Sequence, residues 1–298
     1  MGKKFTGTGV ALVTPFHKYG TIDFTSLEKI VDYTINGGVD YLVVLGTTGE
    51  AATMSADERN AVLDFVLETC NNRVPVVLGI GGNNTQEIVN KIKNMSFDGI
   101  DGILSVCPYY NKPQQKGIIY HYTTIASICP VPIILYNVPG RTGTNMKAET
   151  TLQLASNCEN IIAIKEASGN MEQIMEILRN KPDHFTVISG DDALTLPMIA
   201  AGAEGVISVV ANAYPSEFSK MVKLCLEQNF QEARKIHFSL LPIIAKLFED
   251  GSPAGVKAAL QILGLCENSL RLPVVKVNKA VYFQIQQLID DFSIITIN

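Results

Sequence analysis

The sequence predicts an α/β protein, a closed (β/α)8 barrel with a C-terminal helical extension. Short apolar runs recur eight times along the first two thirds of the chain. Each is hydrophobic almost throughout rather than alternating, as strands buried on both faces of a parallel sheet are. Amphipathic stretches of helical period lie between them. Eight strands, each followed by a helix, imply a closed barrel or a large doubly wound sheet. A repeat of roughly 20–35 residues fits the barrel, whose usual length of about 250 residues is shared among eight units.

In chain order, the first run covers residues 9–14, and Asp23 is placed to cap a helix over 24–36. The second, 41–45, precedes a helix over 55–70, where Ser55 with Glu58 three residues on makes a capping-box pattern. Runs at 74–80, 102–107 and 132–137 lead into helices over 85–95, 114–128 and 147–156. Runs at 161–166 and 186–190 lead into helices over 171–180 and 193–200. The eighth run, 205–210, follows at a shortened interval, so the last connections should be short. Beyond it the pattern is helical over 215–228, 230–247, 253–263 and 276–290. No Gly/Ser-rich linker intervenes. We therefore expect a catalytic barrel over 1–212 and a C-terminal helical region over 213–298 packed on it.

A formal charge of −5, from 24 basic and 29 acidic residues, offers no electrostatic reason for a nucleic-acid or anionic-membrane partner. No apolar run approaches the roughly 18–20 residues of a membrane span. Residues 1–9 lack the apolar stretch of a secretory signal. Gly2 and Thr6 fit the loose myristoylation pattern, read as a chance match because a barrel strand starts within a few residues. Cys70, Cys107, Cys129, Cys158, Cys225 and Cys266 are scattered through apolar stretches with no CxxC pair. They read as small core residues of a reducing compartment, and the expected location is cytoplasmic. The histidines are isolated as well, so no metal site built from His and Cys is expected.

Polar residues that do not belong in a core gather just after the strands. They are the GTTGE segment at 46–50, Tyr109-Tyr110-Asn111, Tyr136-Asn137 with Arg141, Lys165-Glu166, and Ser189-Gly190-Asp191-Asp192. In a barrel these strand ends converge on one mouth, where barrel enzymes keep their chemistry. Lys165 follows the apolar Ile161-Ile162-Ala163-Ile164. Desolvation there would lower its pKa and supply the neutral amine that attacks carbonyls. Alternatively it snorkels to water or pairs with Glu166. Tyr136 and Thr48 could relay protons to such an amine, or be an ordinary strand aromatic and a turn residue. Hydroxyls and backbone N–H groups at Thr47 and Thr48 could hold a carboxylate. Arg141 offers a bidentate fork for a second one, or is a solvated surface arginine. Gly79-Ile80-Gly81-Gly82 lacks the full dinucleotide-loop spacing. Asp191-Asp192 reads as a helix cap in preference to a metal pair.

GTTGE (46–50), CPYYNKP (107–113), YNVPGRTG (136–143), IKEASGN (164–170) and SGDD (189–192), in this order and spacing, closely resemble the dihydrodipicolinate synthases, almost end to end. GTTGE and the lysine segment are shared with sister enzymes such as N-acetylneuraminate lyase; the YNVPGR arginine is more typical of the synthases. The resemblance implies a TIM barrel in which Lys165 forms a Schiff base with pyruvate. The derived enamine attacks aspartate-4-semialdehyde, on the route to lysine and diaminopimelate. It further implies that Tyr136, Thr48 and Tyr110 form a hydroxyl relay, with Tyr110 reaching into a neighbouring subunit. Thr47 and Thr48 hold the pyruvate carboxylate, Arg141 binds that of the second substrate, and Gly190 and Ile207 line the pocket. It implies a homotetramer of tight dimers needing no metal or organic cofactor.

Feedback-inhibited members of that family bind lysine at the dimer interface. Asn83, Glu87 and Tyr109 match that site. The stretch 51–59 departs from it, with Ala56 offering no polar group and Arg59 adding a positive charge where a cationic ligand would sit. Lysine inhibition is therefore expected to be weak or absent. Two other readings compete. A lyase that cleaves a sugar acid to pyruvate is disfavoured by Arg141. A non-catalytic keto-acid sensor would not need Tyr110, Tyr136 and Thr48 together with Lys165.

Overall fold

The computed structural model describes residues 5–297. Gly2 of the chance myristoylation match and Asn298 of the expected C-terminal region lie outside the described residues.

Eight parallel strands close into one barrel, paired in sequence order with the last against the first. They are β1 (Gly7–Ala11), β2 (Tyr41–Val44), β3 (Val76–Gly79), β4 (Gly102–Val106), β5 (Ile133–Asn137), β6 (Ile161–Glu166), β7 (Thr186–Ser189) and β8 (Gly205–Ser208). The helices are α1 (Phe24–Asn36), α2 (Ala56–Cys70), α3 (Thr85–Lys93), α4 (Gln115–Ala126), the single turn α5 (Pro139–Thr142), α6 (Ala148–Asn157), α7 (Met171–Asn180), α8 (Thr195–Ala200), α9 (Pro215–Leu226), α10 (Phe230–Glu249), α11 (Ala254–Ile262) and α12 (Lys279–Ile297). Asp23 caps α1 through Ser26 N–H, and Ser55 with Glu58 forms both halves of the capping box on α2. The TIM barrel read from the apolar runs is the observed fold.

Strand parity sorts the side chains into two cores. Inside the barrel lie Ala11, Val43, Val77, Leu104, Ile134, Ala163, Ile188 and Ile207. Between barrel and helices lie their chain neighbours, such as Val10, Leu42, Leu78, Ile103, Leu135, Ile164, Val187 and Val206. Strands buried on both faces need no polar side, which is why the runs read as continuous. In β6 a register shift between Ile133 and Ile134 of β5 absorbs one residue of the strand opposite. From there Ala163 and Lys165 point in, while Ile164 and Glu166 point out.

Some boundaries moved. The first strand spans Gly7–Ala11, not 9–14. Gly7 takes φ of +80°, which a glycine tolerates, and Thr8 N–H bonds Asp40 at 2.7 Å, so the ladder starts early. It ends early because Val13 N–H donates to the Asn212 side chain at 3.1 Å. The eighth run ends as a strand at Ser208 and turns into a 3-10 helix over Val210–Asn212. α9 packs on β1, β8 and α1, the place of the barrel's eighth outer helix. The expected division at 212–213 falls between β8 and this helix.

Candidate active site

A cavity of about 400 Å³ opens at the C-terminal ends of the strands. Its wall includes Thr47 and Thr48 after β2, Tyr136 on β5, Arg141 on α5, Lys165 on β6 and Gly190 after β7. Residues Ile244, Ala245 and Phe248 of α10, with Ser252, close the remaining side. Four strand ends and a C-terminal helix, far apart in sequence, therefore meet where the barrel architecture brings them together.

Lys165 is only 5% exposed. Burial pulls its amine down from 10.5 to about 8, a fall that the nearby carboxylate of Asp192 opposes and the Arg141 guanidinium reinforces. Its Nζ lies 4.5 Å from the centre of the Tyr136 ring. Glu166 is not its partner. It points to the other face of the strand, where it accepts from Asn137 at 2.6 Å, Gln173 at 3.2 Å and Ser168 at 2.5 Å. Adjacent strand residues face opposite ways, which separates this carboxylate from the amine.

Tyr136 is buried, and burial raises its phenol above the ordinary value, against the pull of Arg141 and of a hydrogen bond with Thr47. The Thr47 side chain is within reach of the Tyr136 phenol, and Thr48, one residue on in the turn, is buried on the cavity wall. Among the described residues, the N–H groups of Thr47 and Thr48 have no protein acceptor. Tyr110 lies off the wall of its own cavity. It is 87% exposed and held at φ of +74°, with its N–H on Thr142 O. Ile207 is also off the wall, because its inward side chain joins the apolar plug within the barrel. Gly190 is on it. A Cβ there would sit 2.9 Å from Lys165 Cε and 2.8 Å from Ala167 Cβ, so only glycine leaves the lysine its course.

The two acidic residues after β7 divide their work. Asp191 Oδ1 accepts from Ala193 N–H and Leu194 N–H at 3.0 and 3.2 Å, which closes the turn before α8, whose own N-cap position is Leu194 with no side-chain cap bond. Asp192 instead reaches to the turn after β8 and accepts from Val209 and Val210 N–H, both at 3.1 Å. The glycines at 79–82 serve close packing: a Cβ on Gly79 would lie 2.3 Å from Leu45 O, where the strand turns into the threonine loop.

Sequence reasoning missed a buried network behind that loop. Glu50, in a left-handed conformation at φ of +53°, pairs with Lys257 of α11, and both are buried. Its other oxygen accepts from Arg271 N–H at 3.1 Å. The Arg271 guanidinium grips Glu58 at 2.6 and 2.9 Å, and both cations lie against the Phe16 ring, at 4.2 and 4.4 Å. The signal was present: Lys257 is the lone charge in AGVKAALQI, the same anomaly that singled out Lys165.

At the other candidate site, Asn83 Nδ2 donates to Tyr109 O at 3.3 Å. Glu87 stands in the first turn of α3, and Ala56 opens α2. Arg59 donates to Met54 O at 2.8 Å, and its charge adds to the burial that lowers the Lys91 amine.

The Dihydrodipicolinate synthetase family model matches residues 4–292. The chain is 51% identical over 288 residues to the 4-hydroxy-tetrahydrodipicolinate synthase of Parabacteroides distasonis, covering 97% of both. It is 53% identical over 275 residues to that of Flavobacterium psychrophilum, covering 92% of this chain and 94% of the relative. The crystal structure of dihydrodipicolinate synthase from Aquifex aeolicus superposes with a TM-score of 0.94 at 40% identity, over 97% of this chain and 98% of that one. The fold, the buried lysine at the barrel mouth and these whole-length matches agree, and the chain belongs to the dihydrodipicolinate synthetase family.

Proposed function

We propose that this chain condenses pyruvate with L-aspartate-4-semialdehyde through a Schiff base on Lys165, giving 4-hydroxy-tetrahydrodipicolinate for lysine and diaminopimelate biosynthesis. The observation that carries it is the Lys165 amine, buried at the cavity and held near a pKa of about 8. At pH 7 roughly a tenth of such amines are neutral, against about 0.03% at the ordinary value. The neutral amine adds to the pyruvate keto carbon, and the carbinolamine loses water to give a protonated imine. That imine is an electron sink, so a methyl proton can leave without a free carbanion. The enamine carbon then bonds to the aldehyde carbon of the second substrate, whose oxygen takes a proton. Attack of that substrate's amino group on the imine carbon closes the ring and releases Lys165.

Each surrounding group has a task in this sequence. The unpaired N–H groups of Thr47 and Thr48 suit the pyruvate carboxylate. Tyr136 with the hydroxyls of Thr47 and Thr48 can move the protons of imine formation. Arg141, exposed at the rim and donating to Ser252 O at 3.5 Å, is placed for the second carboxylate. The C-terminal helical region is part of the catalytic unit in this reading, because α10 supplies a wall of the cavity. The chemistry draws its electron sink from the imine itself, so no metal or organic cofactor is invoked.

A homotetramer of tight dimers would give Tyr110 a neighbour's site to enter, and its exposure and positive φ favour such an ordered contact. A cytoplasmic location fits six free cysteines, five of them buried. The test is borohydride trapping with pyruvate, followed by a coupled assay comparing the semialdehyde with sialic acid as second substrate. We expect the added mass on Lys165 and turnover with the semialdehyde only. Lys165→Ala should lose most turnover and keep the fold. Adduct at another lysine refutes the assignment.

A further inference from the structure

We propose that Asp192 is the fixed counter-charge of the Lys165 Schiff base, an electrostatic partner that stabilises the nitrogen each time it becomes cationic. This deepens the pyruvate reading above and rests on it. Asp192 lines the same cavity as Lys165 and is 3% exposed. Its Oδ2 is tied to the turn after β8 by Val209 and Val210 N–H at 3.1 Å each, and the Ser208 side chain lies close enough to favour the charged carboxylate. Its Oδ1 has no hydrogen-bond partner. Among the described residues it is the one buried carboxylate oxygen left so. The other buried acids are occupied: Glu50 by Lys257, Glu166 by Asn137, Gln173 and Ser168, and Asp23 by Ser26. A carboxyl held on one oxygen and unsatisfied on the other, on the wall of the cavity that holds the Lys165 amine and within electrostatic reach of it, is a group built for charge rather than for packing.

The chemistry requires such a group. Adding the neutral amine to the keto carbon and expelling water leaves a cationic iminium nitrogen. Loss of the methyl proton sends that C–H electron pair toward nitrogen and makes a neutral enamine. Forming the carbon–carbon bond returns the electron pair to the new bond and the cation to nitrogen. The charge thus appears twice at one atom, in a cavity also lined by Asp191 and by Arg141, whose own charge opposes it. A carboxylate already fixed in place favours both cationic stages without reorganising. The groups that face the pair are Arg141 and Tyr136 around Lys165, and Asp191 and Ser208 around Asp192. Burial raises Asp192 to about 6, so it is ionised where the enzyme would work.

The test is Asp192→Asn in the full chain. This keeps an oxygen for the Val209 and Val210 N–H groups and removes only the charge. Without it the Lys165 amine should lose its proton more readily. The acid limb of the initial rate of borohydride-trapped pyruvate adduct should therefore move down by about one pH unit. Turnover at the optimum should fall roughly 10-fold or more, with the adduct still on Lys165. An unmoved acid limb, whatever the turnover, makes Asp192 a structural tie and overturns the proposal. A wild-type enzyme that forms no adduct on Lys165 removes the Schiff-base reading and this one with it. Should the variant fail to fold, the wild type decides. Infrared difference spectra at about pH 5 should lose a protonated-carboxyl band when pyruvate binds, because the iminium holds Asp192 ionised below its free value. An unchanged band overturns the proposal.

Discussion

Lys257→Met should unfold about 8 °C below the wild type, and adding Glu50→Gln should restore most of the loss. Lys257 and Glu50 form an ion pair with side chains 0% and 2% exposed. Removing one member of such a pair strands the other charge in a medium that cannot solvate it, at a cost of about 3–5 kcal/mol. The lower part of that range applies here, because Glu50 keeps the Arg271 N–H at 3.1 Å. The variant also loses the cation over Phe16, on the order of 1 kcal/mol, while methionine keeps much of the aliphatic packing. The sum is about 4 kcal/mol, which at roughly 2 °C per kcal/mol for a chain of this size is the fall stated. In the double variant no charge is stranded and glutamine still accepts from Arg271, so the two sites should show a coupling of at least about 2 kcal/mol. Thermal unfolding by circular dichroism at fixed protein concentration measures it. The pyruvate KM should rise with the single variant, since Glu50 closes the loop that carries Thr47 and Thr48. Losses that simply add in the double variant would refute the reasoning.

Lys165→Met should abolish turnover yet raise the unfolding temperature at pH 7. Because burial lowers this amine to about 8, the charged form is the disfavoured one in the folded state. The penalty is present below that pH and fades as pH rises from about 8 toward the ordinary value, so its removal contributes at most about 3 kcal/mol. By the same sign, imine formation should accelerate as pH rises to about 8 and level off above it; a rate falling over that interval would contradict it. Gly190→Ala, which drives a Cβ to 2.9 Å from Lys165 Cε, should lower kcat roughly 100-fold with little change in unfolding temperature. Thr47→Val should slow imine formation more than Thr48→Val, because the Thr47 side chain is the one that pulls the Tyr136 phenol down; equal effects in stopped-flow trapping, or a larger one at Thr48, would refute this. Millimolar lysine should leave the coupled assay nearly unchanged, since Arg59 and Lys91 put positive charge beside the matched site; potent inhibition would refute this.

The eight strands and the inward-facing lysine were legible because each depends on residues adjacent in the chain. Ile161-Ile162-Ala163-Ile164 is apolar on both faces, and a lysine directly after it must either be used or be paired. Boundaries were less legible. The first strand starts at Gly7 because Asp40 binds Thr8, and it stops at Ala11 because Asn212 takes the backbone of Val13. Neither partner is near in sequence, so no local pattern announces them. Ile207 was placed on the pocket wall, but its inward position falls at the depth of the apolar plug.

Amino-acid order alone dictated the fold class and the strand count and singled out Lys165 as a charge out of place, since hydrophobic period and a misplaced charge act over a few residues. Closure of the barrel decided which groups meet that amine. Lys257 reaches Glu50 across 207 positions, and Asp192 finds the N–H of Val209 only because β7 and β8 end side by side. How Thr47 and Thr48 face Tyr136 turns on the rotation of one loop, held by Gly79 and the Glu50 pair. Electrostatic fields and hydrogen bonds act through space at a few ångströms, and only the folded chain sets those distances.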